Sequence, residues 1–184
     1  MDFKDIIEKR RSIRRYKNDK VERTPIEQCI EAAILAPSWK NSQTARYYVV
    51  DNKELLDTFK KECLPEFNAN NVKDAPVLVV TTFVKDRAGF NRDGSETNEC
   101  GQGWGYYDLG LHNMNFILKA TELGLGTLVM GIRDASKIKD MLCINDNEIV
   151  VAVLGVGYPD INPEMPKRKR VEDITKFYWQ IDIL

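Results

Sequence analysis

The chain has 184 residues, with 27 Lys and Arg against 28 Asp and Glu, so its formal net charge is −1. That length predicts one domain, residues 1–184, with a substantial core, and the charge balance argues against a general nucleic-acid binder. No apolar run is long enough to span a bilayer (the longest is residues 149–158), and the charged, amphipathic N-terminus is unlike a signal peptide.

Phe3, Ile6 and Ile7 recur at i, i+3, i+4, which predicts a short amphipathic helix over residues 2–9. Residues 10–16 (RRSIRRY) follow, where that helix should end. Four guanidiniums and a hydroxyl in seven residues suit phosphate or polarised carbonyls, although a solvated basic turn is the plainer reading. Thr24, Pro25 and Glu27 read as N-cap, N1 and N3 of a second helix. Its apolar face is Ile26, Cys29, Ile30, Ala33 and Ile34, and Pro37 ends it near Ala36.

Residues 37–45 form a loop rich in groups that both donate and accept hydrogen bonds. Asn41 and Gln43 match the edge of a heterocycle, against the ordinary reading of a helix-to-strand connection. Residues 46–50 (RYYVV) predict a strand; Leu55, Leu56 and Phe59 mark a helix; and residues 76–84 (PVLVVTTFV) predict a buried strand. Residues 85–103 are a long polar loop of the kind used as lids or binding segments. Trp104, Tyr106 and Tyr107 offer stacking surfaces, though packing at the mouth of the next helix is the commoner explanation.

From 107 to 123 the pattern is apolar almost all round, predicting a central helix that carries His112, the lone histidine, as a structural or half-exposed residue and not as a base. Gly124 stops it. Residues 125–132 then form an extended, glycine-opened stretch that would let a flat ligand approach the backbone, or is simply a broken core strand. Asp134 caps a short helix through Leu142, and residues 148–158 (EIVVAVLGVGY) form the last good strand. The remainder holds Pro163, Pro166, the basic run Lys167, Arg168, Lys169, Arg170 and an apolar tail, residues 171–184, suited to wrapping a partner subunit.

Chemistry carried by side chains is scarce. No P-loop, Rossmann fingerprint, nucleophile elbow or H-E-x-x-H occurs, and one histidine with scattered cysteines makes a metal site improbable. Cys29, Cys63, Cys100 and Cys143 lack C-x-x-C spacing, which favours reduced thiols and a cytoplasmic location. Two basic clusters, an amide-rich loop and a glycine-opened strand are instead ingredients for holding a phosphorylated planar cofactor that brings its own reactivity.

Four stretches occur in one order: R-R-S-I-R at 10–14, A-P-S-x-x-N-x-Q at 36–43, L-G-L-G-T-x-x-x-G at 123–131 and R-K-x-x-E-D at 168–173. Together they resemble the FMN-dependent nitroreductase family over nearly the whole chain. The resemblance implies an α+β sandwich, a mixed central sheet around a long buried helix, and an intertwined homodimer with FMN at each interface cleft. By position, Arg10, Arg11, Ser12 and Arg14 would hold the phosphate and the flavin pyrimidine edge, with Lys167 and Arg168 closing from the late segment. Pro37, Ser38, Trp39, Asn41 and Gln43 would reach in from the other subunit. Leu128, Val129, Met130 and Gly131 would line the ring, a backbone N–H of Met130 or Gly131 lying near N5, and Asn68 would contact the flavin.

No catalytic side chain is implied. Hydride from NADH or NADPH would pass through flavin N5 to a nitroaromatic, quinone or similar electrophile in ping-pong fashion. The same fold could instead reduce a specific enone or halogenated aromatic, or bind flavin without turnover. Thr44-Ala45 and Asn71 depart from common family residues near the cleft, and Lys169 and Arg170 add charge that leaves the phosphate partners within 167–170 open.

Overall fold

The computed structural model describes residues 2–178. Six helices, α1 (Phe3–Lys9), α2 (Arg23–Ile34), α3 (Lys53–Cys63), α4 (Glu66–Asn71), α5 (Gly103–Glu122) and α6 (Ala135–Leu142), surround four strands. These are β1 (Ala45–Val50), β2 (Val77–Val84), β3 (Gly126–Met130) and β4 (Glu148–Gly157), in the sheet order β1-β2-β4-β3. All three pairings are antiparallel. The parallel component expected of a mixed sheet is, among the described residues, one bridge between Ser12 and Thr127.

Period-2 alternation on β2 explains the layering. Val77 and Val79 enter the apolar cluster with Ile26, Cys29 and Ala33 of α2 and Phe116 and Ala120 of α5. Leu78 and Val80 point the other way, to Leu56 and Phe59 of α3 and Ile138 of α6. Both faces of the strand are therefore covered, which is why its sequence reads as a continuous apolar run.

Asp2, Asn52 and Asp134 cap α1, α3 and α6 through their side chains. The capping box expected at Thr24 does not form. Instead α2 begins at Arg23, whose Nε sits 2.7 Å from Glu27 Oε1, so the carboxylate meant to close the box is taken by a guanidinium. Pro25 loses nothing by this, because first-turn N–H groups have no intrahelical acceptor. The central helix starts a turn earlier than its apolar pattern suggests, taking in Trp104 and Tyr106, and Gly124 follows it at φ +77°.

Beyond β4 the described chain is irregular apart from a 3₁₀ turn at Val171–Asp173, and the apolar residues Trp179, Ile181, Ile183 and Leu184 lie outside the described residues. All four cysteines are free thiols, Cys29 and Cys63 within the core. No described helix is long and apolar enough to cross a membrane.

Glu148 opens β4 and is buried, yet its carboxylate is fully used. Tyr48 donates to Oε1 at 2.8 Å and Thr82 donates to Oε2. Burial first, and then the bond to Glu148, push the Tyr48 phenol up to about 12, so it stays a donor. Glu148→Ala removes the acceptor from both hydroxyls and is expected to lose roughly 2–4 kcal/mol, while Glu148→Gln keeps one carbonyl and loses less. Urea denaturation of the two variants tests this ordering.

Candidate functional site

Arg10 caps the C-terminus of α1, and the chain then runs extended along the open edge of β3. The Ile13 N–H donates to the Thr127 carbonyl at 2.9 Å, which places residues 10–14 beside that edge. Gly126 makes the approach possible. A Cβ there would lie 2.6 Å from Ile13 Cγ1 and 2.9 Å from Pro159 Cγ. Gly126→Ala is therefore expected to cost about 1–3 kcal/mol and to push the arginine segment off the strand. Hydrogen exchange at the Ile13 amide, faster in the variant, is the direct readout.

Arg10 and Arg11 border a hollow of about 320 Å³ with Ile13, Thr121, Gly124, Gly126 and Asn162. Arg11 donates to the Arg10 carbonyl at 2.6 Å, while its Nε is buried without a partner. Burial, then Arg168, then Arg11 lower the pKa of Arg10. The Arg168 charge is thus near enough to be felt at Arg10. Lys167, Arg168, Lys169 and Arg170 border a second hollow of about 540 Å³ with Asp173. Arg170 is spent locally, on Glu172 and Asp173 at 3.4 Å each. Among the described residues, Arg10, Arg11, Arg14, Lys167 and Arg168 have no carboxylate within ion-pair distance. Asp173, which borders the second hollow, is held by Arg170, so the remaining like charges are suited to an anion from outside.

Strand geometry sorts the residues of β3. Leu128 and Met130 are buried in the α3–α6 layer, so their side chains support the strand from below. Val129 is 51% exposed on the opposite face, and a Cβ on Gly131 would meet nothing within 4 Å. Because the Thr127 carbonyl points away from β4, antiparallel alternation aims the backbone groups of Val129 and Gly131 at the same open edge. Those of Met130 pair with Val153, which favours Gly131 over Met130 as the free N–H. Asn68 converges here from α4, its Nδ2 donating to the Ile132 carbonyl at 2.8 Å. Ser12 and Arg14 are exposed, Arg14 Nη1 lying 3.4 Å from the Ser12 carbonyl.

Residues 37–43 lie elsewhere. Trp39 packs on Trp104, ring centroids 4.4 Å apart, and its backbone N–H donates to Asp108 of α5 at 2.8 Å. Ser38 Oγ accepts from the Gln43 N–H at 3.1 Å, Pro37, Asn41 and Gln43 are exposed, and Lys40, Asn41 and Gln43 take positive φ. Asp108 and Thr121 mark the two places along α5 where this loop and the Arg10 hollow sit, about 20 Å apart at 1.5 Å per residue. Within one chain the amide loop and the arginines do not form a common site. Trp104, expected to pack at the helix mouth, does so. His112 is buried, with burial lowering its pKa and Asp108 raising it. The residue that sequence reasoning passed over is Asp108; the available signal was a lone carboxylate one turn before that histidine in an apolar helix.

These features define an α+β sandwich with an uncompensated cationic cluster along its open edge strand. The sequence profile of the Nitroreductase family matches residues 7–158. A provisionally named NADH dehydrogenase/NAD(P)H nitroreductase from Methanothermobacter thermautotrophicus is 29% identical over 169 residues, covering 89% of this chain and 80% of its own. A nitroreductase family protein structure from Streptococcus pneumoniae matches with a TM-score of 0.84 at 23% identity, covering 96% of this chain and 100% of that one. A provisionally named nitroreductase from Exiguobacterium sibiricum, solved in complex with FMN, matches with a TM-score of 0.79 at 24% identity, covering 96% and 97%. The chain belongs to the nitroreductase family, as its four ordered motifs implied.

Proposed function

We propose that this chain is an FMN-dependent NAD(P)H oxidoreductase of the cytoplasm that reduces nitroaromatics, quinones or similar electrophiles. The observation that carries the reading is the arginine run at residues 10–14, held beside the open edge of β3 with no carboxylate within ion-pair distance of Arg10, Arg11 or Arg14 among the described residues. An FMN phosphate supplies the missing negative charge, and a flat ring suits an edge where Gly131 presents no side chain. FMN, when bound, accepts a hydride from NADH or NADPH at N5 and passes the electrons on to the acceptor.

The residues of the chain hold and polarise. Arg10, Arg11, Lys167 and Arg168 bind the phosphate. Ser12 and Arg14 face the pyrimidine edge, where a guanidinium that cannot lose its proton stabilises developing negative charge. Leu128 and Met130 stiffen the strand from the core side, leaving Val129 and the Gly131 N–H toward the ring, and Asn68 fixes the turn after it. Pro37, Ser38, Trp39, Asn41 and Gln43 serve the site of the opposite subunit in a homodimer, because α5 keeps them from their own arginines. Exposed Phe3, Ile7, Tyr107 and Met114 on α1 and α5 support such an interface, as do Val171, Ile174, Phe177 and Tyr178 in the tail, residues 171–184, that would wrap the partner.

Anaerobic titration of the purified protein with NADH and with NADPH, followed by flavin absorbance, tests the reading. Bleaching by either, and recovery on adding a quinone, is expected. A colourless protein that takes up no added FMN overturns it, and bound FMN that neither nucleotide bleaches means a flavin carrier.

A further inference from the structure

Of the two carboxylates buried among the described residues, Glu148 is satisfied by two hydroxyls, whereas Asp108 has no such explanation. Asp108 is 3% exposed on the buried face of α5, which it shares with His112 and otherwise apolar residues or glycine, and no lysine or arginine pairs with it among the described residues. It accepts a hydrogen bond from the Trp39 backbone N–H at 2.8 Å. One turn along, His112 is also 3% exposed, and neither ring nitrogen has a partner. Burial raises the Asp108 pKa, while the Trp39 N–H and then His112 lower it. A carboxyl in such a place is costly, so the bond it makes must have a purpose beyond filling space.

That bond reaches a strained loop. Lys40, Asn41 and Gln43 all take left-handed φ, at 46°, 56° and 48°, without being glycine. Such residues persist only where the surroundings over-determine them. Residues 37–43 bond mostly to themselves: Asn41 N–H to the Ser38 carbonyl, Ser42 N–H to the Trp39 carbonyl, Gln43 N–H to Ser38 Oγ. The hydrogen bond to Asp108, with the ring contact between Trp39 and Trp104, ties the turn to α5.

We propose that Asp108 is a positioning residue that, through the Trp39 amide, fixes residues 37–43 in the left-handed turn presenting Asn41 and Gln43 to flavin. This rests on the FMN reading above. Asp108 touches no substrate; it acts through the loop. A carboxylate suits the task because its acceptor strength is not shared with water at this depth.

The test compares Asp108→Ala, which deletes the acceptor, with Asp108→Asn, whose amide oxygen can accept the same N–H. Two readouts are taken: hydrogen exchange over residues 36–44 in the apoprotein, and FMN affinity by fluorescence quenching. In Asp108→Ala, exchange in that segment should rise roughly fivefold or more with α5 itself unchanged, and the FMN Kd should rise roughly tenfold or more. In Asp108→Asn both should stay near wild type. If Asp108→Ala does not fold, Asp108→Leu fills the volume without an acceptor and serves in its place. Unchanged exchange over 36–44 overturns the anchor whatever the flavin does, and faster exchange with unchanged Kd overturns the positioning role. Exchange raised throughout α5 assigns Asp108 to general stability and also overturns it. Failure of the wild-type protein to bind FMN removes the functional reading itself, and this proposal with it.

Discussion

Replacing Arg168 by alanine is expected to raise the FMN Kd by roughly 10- to 150-fold, while leaving the apoprotein as stable as before or slightly more so. The first number is one charge-assisted hydrogen bond, about 1.5–3 kcal/mol, expressed as a ratio of affinities. The second follows from charge: Arg168 has the same sign as Arg10 and lowers its pKa, after burial, so removing it relieves repulsion that an anion would otherwise offset. A residue present for folding would show the opposite sign, losing stability on truncation. Arg10→Ala should weaken FMN similarly, and the double variant should lose less than the sum of the two, because both act on one phosphate. Raising salt should narrow the difference between wild type and variant as the charges are screened. Equilibrium titration at two ionic strengths, with thermal melts of the apoproteins, decides it. An Arg168→Ala protein that binds FMN as well as wild type removes Arg168 from the site.

Phe116→Ala should produce the largest loss of stability of any single truncation on α5, about 3–5 kcal/mol. Its ring is fully buried, stacked against Tyr47 at 6.0 Å, and packed within the cluster formed by α2, α5, β2 and β4. Stabilities of ordinary domains run to about 5–15 kcal/mol, so the variant should sit near the edge of unfolding. Met114, on the same helix, provides the contrast. It is 47% exposed in this chain, so Met114→Ala should change single-chain packing little. In the proposed homodimer it should instead weaken association. Denaturant melts of the two variants, with light scattering over a dilution series, separate the two effects.

Much of the fold was legible because its signals are local. The buried strands announced themselves as β-branched runs, α1 by the spacing of Phe3, Ile6 and Ile7, α6 by Asp134 before it, and the end of α5 by Gly124. The misplaced start of α2 has the same origin in reverse. Thr24, Pro25 and Glu27 satisfy a local rule, but a side-chain pair between Arg23 and Glu27 competes for the carboxylate, and the alphabet alone does not rank the two. For the candidate site, the sequence offered the ingredients without their partition. Arg168 and Arg170 are indistinguishable as letters. Only folding pairs Arg170 with Glu172 and Asp173 and leaves Arg168, among the described residues, without a carboxylate at ion-pair distance.

The sequence by itself determined the family, the layered α+β character and the places where positive charge is concentrated, since these follow from ordered motifs, periodicity and composition. The tertiary structure alone decided which cations keep free of a carboxylate, which face of β3 is open, and that the amide loop lies a long helix away from the arginines of its own chain. Distance explains the division: periodicity reports which side of an element is covered, but an ion pair or a hydrogen bond such as Asp108 to Trp39 joins residues 69 positions apart. Nothing local records that such residues will touch.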